Sequence, residues 1–247
     1  MNPITSVCWA LAQECRADDV LVVGVATPLA AAAAFVAREH LVHDLTIIVG
    51  GVVDPPTMDV ADLLTDPFAA ARTSQVILGQ RELLALLQRG TITLQFVSPA
   101  QVDHTGAVNT SRVRTSDGSW RLLPGCLALP DTTATVGRLV AYRIDGGDRF
   151  VVERVDHVSG IGADAATRAH FGLRGSGVTA IITEAGRREV RAAGLDDATA
   201  LDPMPSEVVE FVDRTIDPRG ILGLETRRHR SEAAARLAAL VNDWSDR

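Results

Sequence analysis

Few residues able to do chemistry in this sequence recur at a spacing that a reaction would need. Of the six histidines (His40, His43, His104, His157, His170 and His229) only His40 and His43 are close enough to meet on a helix. No carboxylate pattern completes a zinc or iron site around them, so they read as surface histidines beside a helix end. The three cysteines, Cys8, Cys15 and Cys126, form neither Cys-x-x-Cys nor a Cys/His cluster. Cys8 and Cys15, seven apart, share one helical face, where a reduced thiol serves as a small buried hydrophobe. Gly-x-Ser-x-Gly, the turn of a serine hydrolase, is absent. Ser159-Gly160-Ile161-Gly162 lacks the third glycine of a dinucleotide fingerprint, because that position is Ala165. Phe171-Gly172-Leu173-Arg174-Gly175-Ser176-Gly177 could grip a phosphate but has no Gly-Lys-Ser ending, so a hairpin-like turn is expected there. Arg227-Arg228-His229-Arg230 is the one basic cluster, and such runs make a solvated face or a partner contact.

Two further groups stand out. Gly50-Gly51 follows the apolar run Leu45-Thr46-Ile47-Ile48-Val49, at the carboxyl end of an expected strand, where open α/β sheets place ligands. Bare glycine backbone lets a thioester or a water approach its amides, although geometry alone favours a tight turn. Gln101, Asp103 and Asn109 lie in the polar stretch Gln101-Val102-Asp103-His104-Thr105-Gly106-Ala107-Val108-Asn109. They can hold a polar substrate group or brace the loop, and Asn and Asp habitually brace turns.

The elements that must carry these residues follow from periodicity. Residues 4–16 repeat Val7, Leu11 and Cys15 at helical spacing, and Asp18-Asp19 end that helix. Val20-Leu21-Val22-Val23-Gly24-Val25 reads as a parallel strand buried on both faces. Thr27-Pro28 caps and starts an alanine-rich helix to about Arg38, and Leu45–Val49 is a second buried strand. Asp54 to Pro67 is a loop with proline breaks; Glu82–Gln88 is a short amphipathic helix; Thr91–Val97 alternates as a strand. Further strands are expected at Leu139–Ile144, Phe150–Val155 and Gly177–Thr183, and a terminal helix, capped by Ser231, at about 231–244. No repeat, low-complexity linker or composition shift divides residues 1–247, so one domain is expected.

Composition sets the remaining bounds. The 247 residues carry 24 basic and 31 acidic side chains, a net charge of −7, which argues against nucleic acid and anionic membrane as partners. With 47% hydrophobic and 22% charged residues the chain is an ordinary globular protein, and 4% aromatic content makes its core aliphatic. The first nineteen residues lack the pattern of a secretory signal, and the apolar run 20–37 is broken by Gly24, Thr27 and Pro28, so a cytoplasmic location is expected.

Several segments in order resemble the β subunits of class I CoA-transferases. Arg149-Phe150-Val151-Val152-Glu153-Arg154-Val155-Asp156 resembles the family's "RFVEKVD" strand, and Gln101–Asn109 is similar to its "QVDxxGNxN" turn. Asp44-Leu45 through Gly51 sits where those subunits read "PDLxLIxESG". The resemblance spans roughly residues 5–185 and implies a three-layer α/β fold with a largely parallel central sheet. It also implies an α-subunit partner, with a heterotetramer as the expected assembly, and coenzyme A as part of the substrate rather than as a permanent cofactor.

One departure governs the chemistry. The family's "ESG" glutamate attacks the acyl-CoA thioester, whereas this chain has Val49-Gly50-Gly51 and no acid on any one-residue shift. The glycine-rich "GSGG" segment is reduced to Pro124-Gly125-Cys126-Leu127-Ala128. Loss of that glutamate is similar to the branch formed by the actinobacterial ring-cleaving hydrolases of cholesterol breakdown, whose acid/base glutamate is on the α subunit. The resemblance thus implies no catalytic residue in this chain and a substrate pocket including Val49, Gly50, Gly51, Gln101, Asp103, Asn109 and Gly125. Two alternatives remain open: a CoA-transferase for a small carboxylic acid, its acid supplied by the partner or by Asp54, and a non-catalytic scaffold subunit.

Overall fold

The computed structural model describes residues 2–24, 26–66, 68–147, 149–226 and 230–245, with side chains as far as residue 239. Helix α1 (Pro3–Ala12) starts on Pro3 and is capped by Asn2, whose Oδ1 accepts the Ile4 amide at 3.0 Å. Strand β1 (Val20–Val23) leads into helix α2 (Pro28–His40) and then strand β2 (Thr46–Val49), which pairs parallel with β1, Val20 opposite Thr46 and Val23 opposite Val49. The chain folds back through β3 (Val52–Val53), antiparallel to β2, crosses a short helix α3 (Val60–Thr65), and adds β4 (Val76–Ile77) antiparallel to β3.

Helix α2 is buried from Pro28 to Ala37. Its alanines let α1 approach closely, while Leu29, Phe35 and Val36 supply bulk; each fully buried side chain of that size stabilises the fold by roughly 1.5–3 kcal/mol. Cys8 and Cys15 are buried and in no disulfide. Burial, reinforced by the charges of Glu225 and Asp217, pushes the Cys8 thiol up to about 12.

Residues 81–200 form a second compact unit, the first comprising 1–80 and 201–247. The second begins with α4 (Gln80–Arg89) and β5 (Leu94–Val97), then β6 (Gln101–Asp103), β7 (Val108–Asn109), β8 (Arg112–Arg114) and β9 (Trp120–Leu122). Helix α5 (Leu129–Thr135), β10 (Arg138–Arg143), β11 (Val151–Val152), α6 (Ala165–His170), β12 (Val178–Thr183), β13 (Gly186–Arg191) and β14 (Gly194–Leu195) complete it. Its main sheet runs β14-β13-β12-β10-β5, with β10 parallel to both β5 and β12 and antiparallel strands beyond β12. The centre is dry: Leu139, Val140, Ala141 and Tyr142 of β10 are fully buried, as expected of a strand covered on both faces. β11, β6 and β7 form a small sheet, and β8 pairs with β9 as a separate hairpin.

The chain returns to the first unit with α7 (Ser206–Phe211), a π-helical turn at Val212–Ile216, a 3-10 turn at Leu222–Glu225, and α8 (Arg230–Ser245). Arg219 ties this segment to α3 through Asp59 at 3.1 Å and Asp62 at 2.7 Å.

The strands expected at 20–25, 45–49, 139–144 and 177–183 form within a residue or two, giving a mixed α/β fold with parallel pairing at the heart of each unit. Several details differ: the strand expected at Phe150–Val155 is only Val151–Val152, and the stretch expected as a polar turn from Gln101 to Asn109 forms β6 and β7. The proline-broken loop contains α3, started by Asp59, whose Oδ1 accepts the Ala61 amide at 2.8 Å. Thr27 makes no side-chain cap; its Oγ1 donates to the Gly24 carbonyl, and Glu225 caps α2 instead by accepting the Leu29 amide at 2.7 Å. The Phe171–Gly177 stretch links α6 to β12 rather than joining two strands. Ser231 lies inside α8, which starts at Arg230, so it is no cap. The basic cluster falls largely outside the described residues, as do the side chains of Leu240, Val241 and Trp244. No helix among the described residues is long and apolar enough to cross a membrane.

Candidate functional site

In the first unit, Gly50-Gly51 is the two-residue turn between β2 and β3. Both residues have positive φ, +57° and +87°, as a type I′ hairpin turn demands. The two differ in surroundings. A Cβ on Gly51 would lie 2.5 Å from the Leu78 carbonyl oxygen, whereas one on Gly50 would meet nothing within 4 Å. Gly50 is therefore the open backbone position, with Val49 half-buried beside it. The turn and its flanking residues, Val49 to Val53, contain no carboxylate. The nearest acid in sequence, Asp54, sits at φ +46° with its Oδ1 accepting the Ile47 amide at 2.8 Å, which ties it back onto β2.

In the second unit, Gln101, Asp103 and Asn109 are buried on β6 and β7; Gln101 and Asn109 bond to each other, while Asp103 braces the β6–β7 turn separately. Asn109 Nδ2 donates to Gln101 Oε1 at 2.8 Å and to the Arg112 carbonyl at 2.7 Å. Gln101 Nε2 donates to Asp156 Oδ2 at 2.9 Å, and Gln101 Oε1 accepts the Asp156 amide at 3.0 Å. Asp103 Oδ1 accepts from the amides of Thr105 (2.9 Å) and Ala107 (3.1 Å) and from the Thr105 hydroxyl, while its Oδ2 takes the Val155 amide at 3.3 Å. These are shape-fixing bonds: buried polar groups that satisfy one another make a rigid wall.

That wall supports Gly125. Its amide donates to the Thr110 carbonyl at 3.1 Å, its φ is +108°, and open space faces the position of a Cβ. Close by in sequence, Leu127 holds φ +26° while 87% exposed, a strained posture for a residue with a side chain. The Thr110 hydroxyl oxygen is buried and lacks a hydrogen-bond partner among the described residues.

Sequence reasoning passed over Asp156, which joins Gln101 to the Arg114 amide at 2.9 Å, and Arg168. Arg168 is buried and pairs with no carboxylate among the described residues. It donates to the carbonyls of Gly162 at 3.2 Å, Thr133 at 2.8 Å and Gly175, and burial pulls its guanidinium below the usual range. Ser159-Gly160-Ile161-Gly162 owes its glycines to packing, since a Cβ on Gly162 would lie 2.4 Å from the Thr105 carbonyl oxygen. His40 stacks edge-on against Phe211 at 4.8 Å, and His43 bonds to the Arg38 carbonyl. Among the described residues no three His, Cys, Asp or Glu converge as a metal site.

No protein-family model and no curated protein sequence matches the chain. Solved structures do. The decarboxylase AibA/AibB superposes with TM-score 0.74 at 21% identity, covering 91% of this chain and 98% of that one. Glutaconate coenzyme A-transferase from Acidaminococcus fermentans gives 0.74 at 17% identity, over 88% and 95%. Rhodococcus jostii IpdAB gives 0.73 at 16% identity, over 92% and 98%. What is shared at such identities is the course of the backbone, and by that measure the chain has the fold of the class I CoA-transferases.

Proposed function

We propose that this chain is the β-type subunit of a cytoplasmic hetero-oligomeric enzyme acting on acyl-CoA thioesters, a ring-cleaving hydrolase of steroid breakdown whose acid/base glutamate lies on an α-type partner, assembled as a heterotetramer. The observation that carries the reading is the Gly50-Gly51 turn: it ends the segment that resembles the transferases' glutamate segment, and it is a closed hairpin without a carboxylate. A chain without that acid has no group there to form a glutamyl thioester, which favours water as the attacking oxygen, activated by a base that a partner can present. In such a cleavage the water oxygen adds to a ring carbonyl, the adjacent carbon–carbon bond breaks, and the departing electron pair is held as an enolate until a proton returns. The contribution of this chain is then electrostatic and steric. Exposed backbone at Gly50 offers an amide to an oxyanion, and in the second unit Gln101, Asp103 and Asn109 hold their own loop in place.

The test is to express the chain with its co-purifying partner, add acyl-CoA and reduce with borohydride. Hydrolysis with no adduct on this chain is expected; a reduced glutamyl or aspartyl thioester on it, Asp54 included, would establish CoA transfer instead. Full activity of a Gly50→Trp complex would reduce the chain to a scaffold.

A further inference from the structure

The hairpin of β8 and β9 carries an exposed cationic face. In its register Arg112 faces Leu122 and Arg114 faces Trp120, which puts all four side chains on one face and leaves Val113 and Arg121 on the other. The guanidinium carbons of Arg112 and Arg114 lie 4.7 and 4.2 Å from the centre of the Trp120 ring. Neither forms an ion pair among the described residues. The acids nearest in the hairpin and its network, Asp117, which accepts from Thr115 and Ser119, and Asp156, which accepts from Gln101 and from the Arg114 main chain, pair with neither guanidinium among the described residues. Arg114 Nη1 donates to the Gly118 carbonyl at 3.0 Å, which fixes that side chain over the ring, and the remaining N–H groups of the two stacked guanidinium groups present oriented donors to an anion. Beside them Trp120 is 38% and Leu122 78% exposed, an apolar surface for the body of the same ligand.

The hairpin also stands where such a ligand matters. It leaves the buried network just after Asn109, closes with the Leu123 amide on the Ser111 carbonyl at 2.9 Å, and delivers the chain to Gly125. We infer that Arg112, Arg114 and Trp120 form the seat for the phosphate-bearing adenine nucleotide end of a CoA thioester. The choice of CoA over a free nucleotide rests on the acyl-CoA reading above; the phosphate-and-ring chemistry rests on the hairpin.

Calorimetric titration of the full chain with CoA, ADP and pantetheine tests this, using the double variant Arg112→Ala/Arg114→Ala and, separately, Trp120→Ala, each checked for an unchanged circular dichroism spectrum. Loss of charged hydrogen bonds should weaken CoA and ADP by about tenfold or more while pantetheine binding stays as in the wild type. A wild type that binds neither CoA nor ADP, or a double variant that binds both with undiminished affinity, overturns the seat. In that second case, retained CoA and pantetheine binding leaves the acyl-CoA reading standing. ADP binding that depends on the two arginines, with CoA bound no more tightly than ADP and pantetheine not at all, keeps the seat as a nucleotide site and removes the acyl-CoA reading.

Discussion

Glu225 caps helix α2 from 196 residues away: its Oε1 accepts the main-chain N–H of Leu29 at 2.7 Å. An uncapped helix start leaves orphan amides and partial positive charge, and α2 is buried around that start, so water cannot fill the role. The threonine in the cap position has turned its hydroxyl to Gly24, and a carboxylate from the end of the chain serves in its place.

Removing that carboxylate should therefore cost far more than removing the local hydroxyl. Glu225→Ala is expected to lower unfolding free energy by about 1–2 kcal/mol, and Thr27→Ala by a few tenths. Urea denaturation of the two variants decides it, and equal losses would show that the cap is not carried by Glu225.

The two glycines of the β2–β3 turn should respond unequally to alanine. Gly50→Ala meets no neighbour and bears only the cost of a left-handed backbone, about 1 kcal/mol. Gly51→Ala adds a collision with the Leu78 carbonyl and should cost about 3 kcal/mol or more. Thermal melts showing the reverse order would mean that β4 does not close over Gly51.

Arg168→Met, similar in length, strands three carbonyls that the guanidinium now serves, and an unsatisfied buried acceptor costs about 1–3 kcal/mol. Part of that is returned because a buried cation no longer has to be desolvated, so a net loss of about 2–4 kcal/mol is expected. Faster amide exchange should be confined to residues near Gly162 and Gly175. An unchanged exchange pattern would deny Arg168 its bracing role.

Asp117, at the tip of the β8–β9 hairpin, is held down to about 2 by the Thr115 hydroxyl, assisted by the amide and hydroxyl of Ser119. A carboxylate depressed in the fold contributes order that is present above its ordinary value of 3.8 and is lost as pH falls through about 2. The Ser119 amide resonance should titrate in that lower range and lose the transition in Asp117→Asn. A midpoint near 3.8 would show that the turn does not hold the charge.

Strands such as Val20–Val23 and Val178–Thr183 were legible because both faces are buried, which selects unbroken β-branched runs. β13 escaped notice because Gly186–Arg191 is mostly polar and only Val190 along it is a buried hydrophobe. The glycine pair and its missing acid could be read directly, since turn chemistry is local. The bracing of Gln101 could not, because its partner Asp156 is 55 positions away and Gln, Asn and Asp are equally suited to gripping a substrate. Arg168 was hidden for a similar reason: an arginine in a short polar helix reads as solvated until the carbonyls around it are seen.

The high pKa of the Cys8 thiol has a practical corollary. With Cys8 and Cys15 buried, Cys126 is left as the one half-exposed thiol, next to Gly125 at the foot of the β8–β9 hairpin. A maleimide dye added to the unmodified protein at neutral pH should couple there once per chain, providing a fluorescent reporter beside the turn without a single engineered mutation.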